Sequence, residues 1–154
     1  MITVIKYFVT IFGIGFIPLA PGTLGSLFAI FVWYVSITLL NIYFFYLVSI
    51  FVFFIAFKSV EIYLSNKIKD DPSEVIIDEF IGQSIPLLFL IDYNLYEVLL
   101  AFCAFRFFDI TKIYPINRAE KMSGAKGVII DDIIAGIYSL IIIMFYKIIL
   151  SFCI

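Results

Sequence analysis

The chain contains no histidine. That absence removes phosphohistidine intermediates, Ser-His-Asp triads and imidazole metal sites together. Charge is also scarce, at 14% of 154 residues against roughly 25% in soluble domains. Ten Lys and Arg face twelve Asp and Glu, a net charge of -2, so no basic surplus exists to displace phosphate counterions and a nucleic-acid partner is excluded. Two cysteines, Cys103 and Cys153, stand in apolar segments without metal-ligand or disulfide spacing and read as small buried hydrophobes.

What is abundant is apolar: 64% of the residues are hydrophobic and 19% aromatic. The length suits one domain, residues 1–154, and the composition places it in a membrane. Residues 1 to 20 carry Lys6 and then an apolar run ending at Ala20. Pro18 stands where a signal peptidase needs a small residue, so an uncleaved, membrane-touching segment is expected. Residues 27 to 57 predict a helical hairpin turning near Asn41, its second arm continuing through "KSVEIYLSNKI" and ending before Asp71-Pro72. Asp92-Tyr93-Asn94 splits residues 80 to 105 into two pieces too short for full spans. Residues 133 to 152 form the cleanest span. The expected fold is all-α, a compact multi-helical membrane domain with helical hairpins and a C-terminal apolar helix.

Polar residues gather in a few places. Lys58, Lys67, Lys69, Arg106, Lys112, Arg118, Lys121 and Lys126 flank the same helix ends if the chain folds back at Asn41 and near Asp92. The positive-inside rule turns those ends to the cytoplasm, and topology alone accounts for the lysines of 58 to 69. "IIDEFIG" (76 to 82) and "IIDDIIAG" (129 to 136) share a layout of two isoleucines, two carboxylates, an apolar pair and a glycine in the seventh or eighth place. Gly82 follows Asp78 by four residues and Gly136 follows Asp132 by four, leaving room for a backbone or ligand beside each acid. Both pairs stand near predicted helix starts, where a helix dipole would favour one acid more readily than two in an isoleucine run.

In "FRFFDITKIYPIN" (105 to 117), Arg106, Asp109 and Lys112 line one side of a helix that ends before Pro115. The spacing suits either a surface salt-bridge ladder or an anion site with Asp109 on a metal and the two cations on phosphate oxygens. In "APGTLGS" (20 to 26), Thr23 and Ser26 are placed to cap the following helix or to hold phosphate at its N-terminus. No Gly-Lys-Ser/Thr follows, so this is not a P-loop.

"PGTLGS", "DEFIGQ", "FRFFDITKIYPIN" and "GVIIDDIIAG", in this order and at these distances, resemble the phosphatidylglycerophosphatase A family of bacterial membrane lipid phosphatases over about residues 13 to 140. The resemblance implies Mg²⁺-dependent hydrolysis of phosphatidylglycerophosphate to phosphatidylglycerol and inorganic phosphate, in the inner membrane. It carries over Thr23 and Ser26 for substrate phosphate, Asp78, Arg106, Asp109, Lys112 and Asp131 for catalysis, and Asp78, Glu79, Asp109, Asp131 and Asp132 for metal. The chain departs from the family at Lys112-Ile113, where a Lys-Pro pair is frequent, and at Gly124-Ala125, where two glycines are. Neither departure removes a charge.

The remaining inventory agrees. Cys103 precedes Arg106 too closely for a cysteine-phosphatase loop, and there is no Asp-x-Asp nucleophile motif. Metal-assisted hydrolysis is what carboxylates can support, since hard oxygen ligands suit Mg²⁺. A small cation-binding or transport protein and a purely structural subunit are the other classes that place acids among apolar helices.

Overall fold

The computed structural model describes residues 2–65 and 72–153. Among these are helices α1 (Ile2–Val9), α2 (Pro21–Leu39), α3 (Ile42–Leu64), α4 (Ile77–Leu87), α5 (Leu95–Thr111), α6 (Ile116–Ala119) and α7 (Ala125–Cys153), with a 3₁₀ turn at Ile14–Phe16. The expected all-α membrane domain is what forms.

Local chemistry sets most boundaries. Pro21 opens α2, where its missing N–H costs nothing. The Asn41 side chain accepts from the Tyr43 N–H and starts α3, so the hairpin turns at the residue the sequence indicates. Asn94 does the same for α5 through the N–H groups of Tyr96 and Glu97. Two buried hydroxyls inside apolar helices bond back one turn, Ser36 to the Val32 carbonyl and Ser84 to that of Phe80, so that each is satisfied within its own helix. The end of the "KSVEIYLSNKI" segment, Lys67, Lys69 and Asp71 lie outside the described residues.

Among the described residues, three helices are long and apolar enough to cross a membrane: α2 with 19 residues, α3 with 23, and 28 residues of α7, at mean hydropathies of 1.7, 2.0 and 2.4. Their outward faces carry large apolar side chains, with Phe31 60%, Phe54 74% and Phe145 61% exposed, a surface that fits lipid and not water. At 1.5 Å per residue the 28-residue stretch is about 42 Å long, more than the roughly 30 Å hydrocarbon core, so its first turns reach a polar boundary. The helices on either side of Asp92, α4 and α5, are shorter. α4 has 11 residues and is buried along almost its whole length, held between α2 and α7.

The α4–α7 crossing is the centre of the fold. Gly82 and Gly136 meet there: a Cβ on Gly136 would overlap the Gly82 carbonyl oxygen, and one on Gly82 would stand 2.6 Å from the Asp132 carbonyl. The backbones approach this closely because neither residue has a side chain. Trp33 closes the opposite end by donating its indole N–H to the Leu90 carbonyl at 2.9 Å.

Two expectations are corrected. Asp131 and Asp132 are not at a helix start, because α7 begins at Ala125 and places them in its second turn, where dipole compensation has faded. Cys103 is exposed on α5 and not buried, since that face of the helix is left uncovered by the other described residues; the Cys153 side chain lies outside the described residues.

Candidate active site

Every acid singled out in the motifs converges at one end of the bundle. α4 begins there, α5 ends there, and α7 passes through it in its second turn. Asp78, Glu79 and Asp132 each offer a carboxylate oxygen, and these oxygens all lie within 4.8 Å of one another. Asp78 and Asp132 are buried, at 7% and 3% exposure, and Glu79 is half-buried. Asp78 Oδ1 and Glu79 Oε2 have no hydrogen-bond partner among the described residues.

The basic side of the site comes from α5. Arg106 Nη1 lies 2.6 Å from Asp109 Oδ2, and Lys112 Nζ bonds Asp109 Oδ1 at 2.9 Å and Asp131 Oδ2 at 2.6 Å. The salt-bridge ladder therefore exists, and through Lys112 and Asp131 it adjoins the acidic cluster. Lys112 reaches Asp131 because it sits one residue past the helix, in the left-handed conformation at φ 47°. Asp131 in turn accepts from the Asp132 backbone N–H at 3.0 Å, which fixes the orientation of the pair. Arg106 Nε is buried without a hydrogen-bond partner among the described residues, so the guanidinium keeps donor capacity for an anion.

The charges do not balance. Five carboxylates, Asp78, Glu79, Asp109, Asp131 and Asp132, share the site with two cations, Arg106 and Lys112. Burial, then the neighbouring charges of Glu79 and Asp132, push Asp78 well above the usual carboxylate range. Burial pushes Glu79 up to about 7. Burial acts on Asp109 in the same direction but loses to hydrogen bonding from Asp132 and to the charges of Lys112 and Arg106, so Asp109 is held low. Lys112 is raised: burial disfavours its charge, and Asp131 and Asp109 more than offset that. The donor set is all hard oxygen, two of its oxygens are buried and unpaired, and the residues present fit a magnesium ion.

Thr23 and Ser26 do not cap α2. The helix starts earlier, at Pro21 behind Ala20, which makes no side-chain cap. The buried Ser26 hydroxyl donates to the Gly22 carbonyl at 3.0 Å, and Thr23 is half-buried in the first turn. What the "PGTLGS" stretch brings to the site is Gly22. A Cβ there would overlap Glu79 Oε1 and stand 3.0 Å from Arg106 Nη1, so the glycine keeps α2 against both groups. Gln83, fully buried one turn after Glu79 with neither amide atom paired among the described residues, is a further polar group. Its only signal in the sequence is its place at the end of "DEFIGQ".

Among the described residues, the other basic side chains singled out in the sequence stay outside. Lys58 pairs with Glu61 on the surface at 3.2 Å, Arg118 stacks on Tyr114, and Lys121 and Lys126 are exposed. The departure at Gly124-Ala125 is harmless, since Gly124 supplies the positive φ of 66° and Ala125 is already helical.

Residues 7–147 match the family model of phosphatidylglycerophosphatase A. The chain belongs to the phosphatidylglycerophosphatase A family. It is an enzyme of the phosphatase class. It is 36% identical to phosphatidylglycerophosphatase A of Escherichia coli, over 87% of this chain and 78% of that protein. It is 33% identical to phosphatidylglycerophosphatase A of Haemophilus influenzae, over 86% of this chain and 82% of that one. A Bacteroides thetaiotaomicron protein, offered by its name as a candidate phosphatidylinositol-3-phosphatase, is 38% identical over 86% of both chains. No solved structure matches the chain.

Proposed function

We propose that the chain hydrolyses the terminal phosphomonoester of phosphatidylglycerophosphate in a bacterial inner membrane, giving phosphatidylglycerol and inorganic phosphate with Mg²⁺ as cofactor. The observation that carries this is the juxtaposition of the Asp78, Glu79 and Asp132 oxygens with the Arg106 guanidinium at one end of a lipid-facing bundle in a chain of this family. Asp78, Glu79 and Asp132 would hold the ion, with Asp109 and Asp131 beside them. A bound magnesium ion supplies Lewis-acid polarisation of a phosphoryl oxygen and a water of lowered pKa.

The chain's own residues do the rest. Arg106 and Lys112 receive the non-bridging phosphate oxygens, and Asp109 holds both cations in place between α5 and α7. One acid of the set orients the attacking water and takes its proton. The bond from water oxygen to phosphorus forms, the bond from phosphorus to the glycerol oxygen breaks, and a proton passes to the departing alkoxide. Burial of the cluster strengthens each of these contacts relative to water.

Phosphate release from purified protein in mixed micelles tests the reading. Phosphatidylglycerophosphate should be hydrolysed with Mg²⁺ and spared in EDTA. Full turnover in EDTA would exclude the metal, and release from phosphatidylinositol 3-phosphate alone would move the assignment to the substrate named for the Bacteroides relative. Mg²⁺ transport without phosphate release would favour a cation carrier.

The site faces the cytoplasm in this reading, because Arg118, Lys121 and Lys126 surround that end of the bundle. Single cysteines at Glu120 and at Leu40, in the exposed turn between α2 and α3, should label from opposite sides of sealed vesicles in a chain freed of its own two cysteines, with Glu120→Cys reacting from the cytoplasmic side. The reverse pattern would place the site outside.

A further inference from the structure

The polar site accounts for one end of α2 and α5; between the two helices runs an apolar cavity of about 410 Å³ that it does not use. We propose that this cavity is the seat of one acyl chain of the lipid substrate, an inference that rests on the phosphatase reading above and extends it to the hydrocarbon.

The geometry ties the groove to the reacting end. α2 and α5 run antiparallel, and both meet the site, where Gly22 stands against Arg106. They pack on each other far less than on α4 and α7, which leaves the space between them open. Leu27 and Phe102 line the near end of the groove, one and a half turns or less from Gly22 and Arg106, or about 6 to 8 Å along the helices. Tyr34 and Leu95 line the far end, about 16 to 18 Å from the same residues. That span matches one leaflet of the hydrocarbon core, about 15 Å. The far end is closed. Tyr34 stacks edge-on against Tyr93 at 5.5 Å, and Trp33, whose indole N–H is already bonded to Leu90, forms the floor.

The lining is apolar, with Leu99 and Phe31 on the rim half exposed or more, at 50% and 60%. Its volume falls within the roughly 300 to 1,000 Å³ of small-molecule sites. A phosphomonoester on a lipid must bring hydrocarbon to within a headgroup's length of the Arg106 guanidinium, and this is the groove that starts there. Binding one chain along α2 and α5 would fix the headgroup over the acids, using contacts remote from the reaction to position it.

Filling the groove should therefore alter chain-length preference. Wild type should process dioleoyl phosphatidylglycerophosphate with a higher kcat/KM than the dihexanoyl form in the same micelles. Leu99→Trp and Leu27→Trp should lower that long-to-short ratio at least tenfold, whereas Leu47→Trp, on the lipid-facing side of α3, should leave the ratio as it was. A second arm uses phosphatidylglycerol with a mid-chain diazirine, photolysed in vesicles with wild-type protein. Adducts should concentrate in residues 27 to 34 and 95 to 102 and be lost in Leu99→Trp. An unchanged ratio, or adducts spread evenly over the lipid-facing helices, would overturn the proposal. If wild type released phosphate from neither substrate, the phosphatase reading would fall, and the photolabel alone would then decide whether the groove holds a chain.

Discussion

Asp132→Asn is expected to lower phosphatidylglycerophosphate turnover by more than the roughly 10- to 100-fold usual for groups that only support a metal ligand, and to do so in a folded, membrane-inserted protein. The substitution keeps the side-chain shape and removes one of the charges that Asp78, Glu79 and Asp132 bring within 4.8 Å of each other. In the absence of metal it also relieves repulsion. Thermal stability in detergent without Mg²⁺ should therefore hold or rise, while the stabilisation that Mg²⁺ gives the wild type should shrink, because an ion that binds only the native state raises its stability by mass action. Loss of activity with unchanged Mg²⁺ stabilisation would mean that Asp132 does not hold the ion. Asp92→Asn is the internal control: Asp92 is exposed in the turn between α4 and α5, at the end away from the site, and its loss should change turnover little. Equal damage from both substitutions would refute a localised acidic site.

Gly136→Ala is expected to destabilise the protein by about 1–3 kcal/mol, the usual cost of overpacking a tight interior, and to depress activity with it. Two effects oppose each other here. On an isolated helix, alanine in place of glycine stabilises by roughly 0.5–1 kcal/mol. At the α4–α7 crossing the new Cβ overlaps the Gly82 carbonyl oxygen, a backbone atom that cannot rotate aside, so the helices must separate. Steric overlap outweighs the gain in helix propensity. Separation would draw Asp78 and Glu79 away from Asp132, so Mg²⁺ affinity should fall together with the thermal midpoint. Gly124→Ala gives the contrast, since a Cβ there meets nothing within 4 Å and only the positive φ of 66° opposes it. A rise in stability for Gly136→Ala would show that the crossing has slack and that its glycines do not set the distance between the acid pairs.

Much of the fold is legible in the sequence because the relevant signals are local. Asn41 and Asn94 cap helices through their own side chains, and neither needs a distant partner to do so. The lengths of the apolar runs separate α2, α3 and α7 from the shorter α4 and α5. Expectation and structure part where a local rule meets a longer helix. Thr23 and Ser26 have capping chemistry, but Pro21 starts α2 ahead of them. Asp131 and Asp132 begin a charged motif, yet α7 extends back to Ala125 beyond it.

The sequence by itself determined the chemistry available: no histidine, carboxylates as the hard ligands, Arg106 and Lys112 as the cations among them, and apolar helices long enough to enclose them in lipid. Helical period also determined that Arg106, Asp109 and Lys112 would share a side of α5. Which acid meets which was a tertiary matter. That Asp132 joins Asp78 and Glu79 while Asp131 turns to Lys112 depends on the crossing of α4 and α7 at two glycines and on the left-handed step at Lys112. That Gly22 admits α2 beside Glu79 and Arg106, and that α2 and α5 leave a groove between them, depends likewise on how helices distant in sequence pack. The physical reason is range: capping, hydropathy and periodicity act within a few residues, whereas contact between helices is decided by the shapes of both surfaces at once.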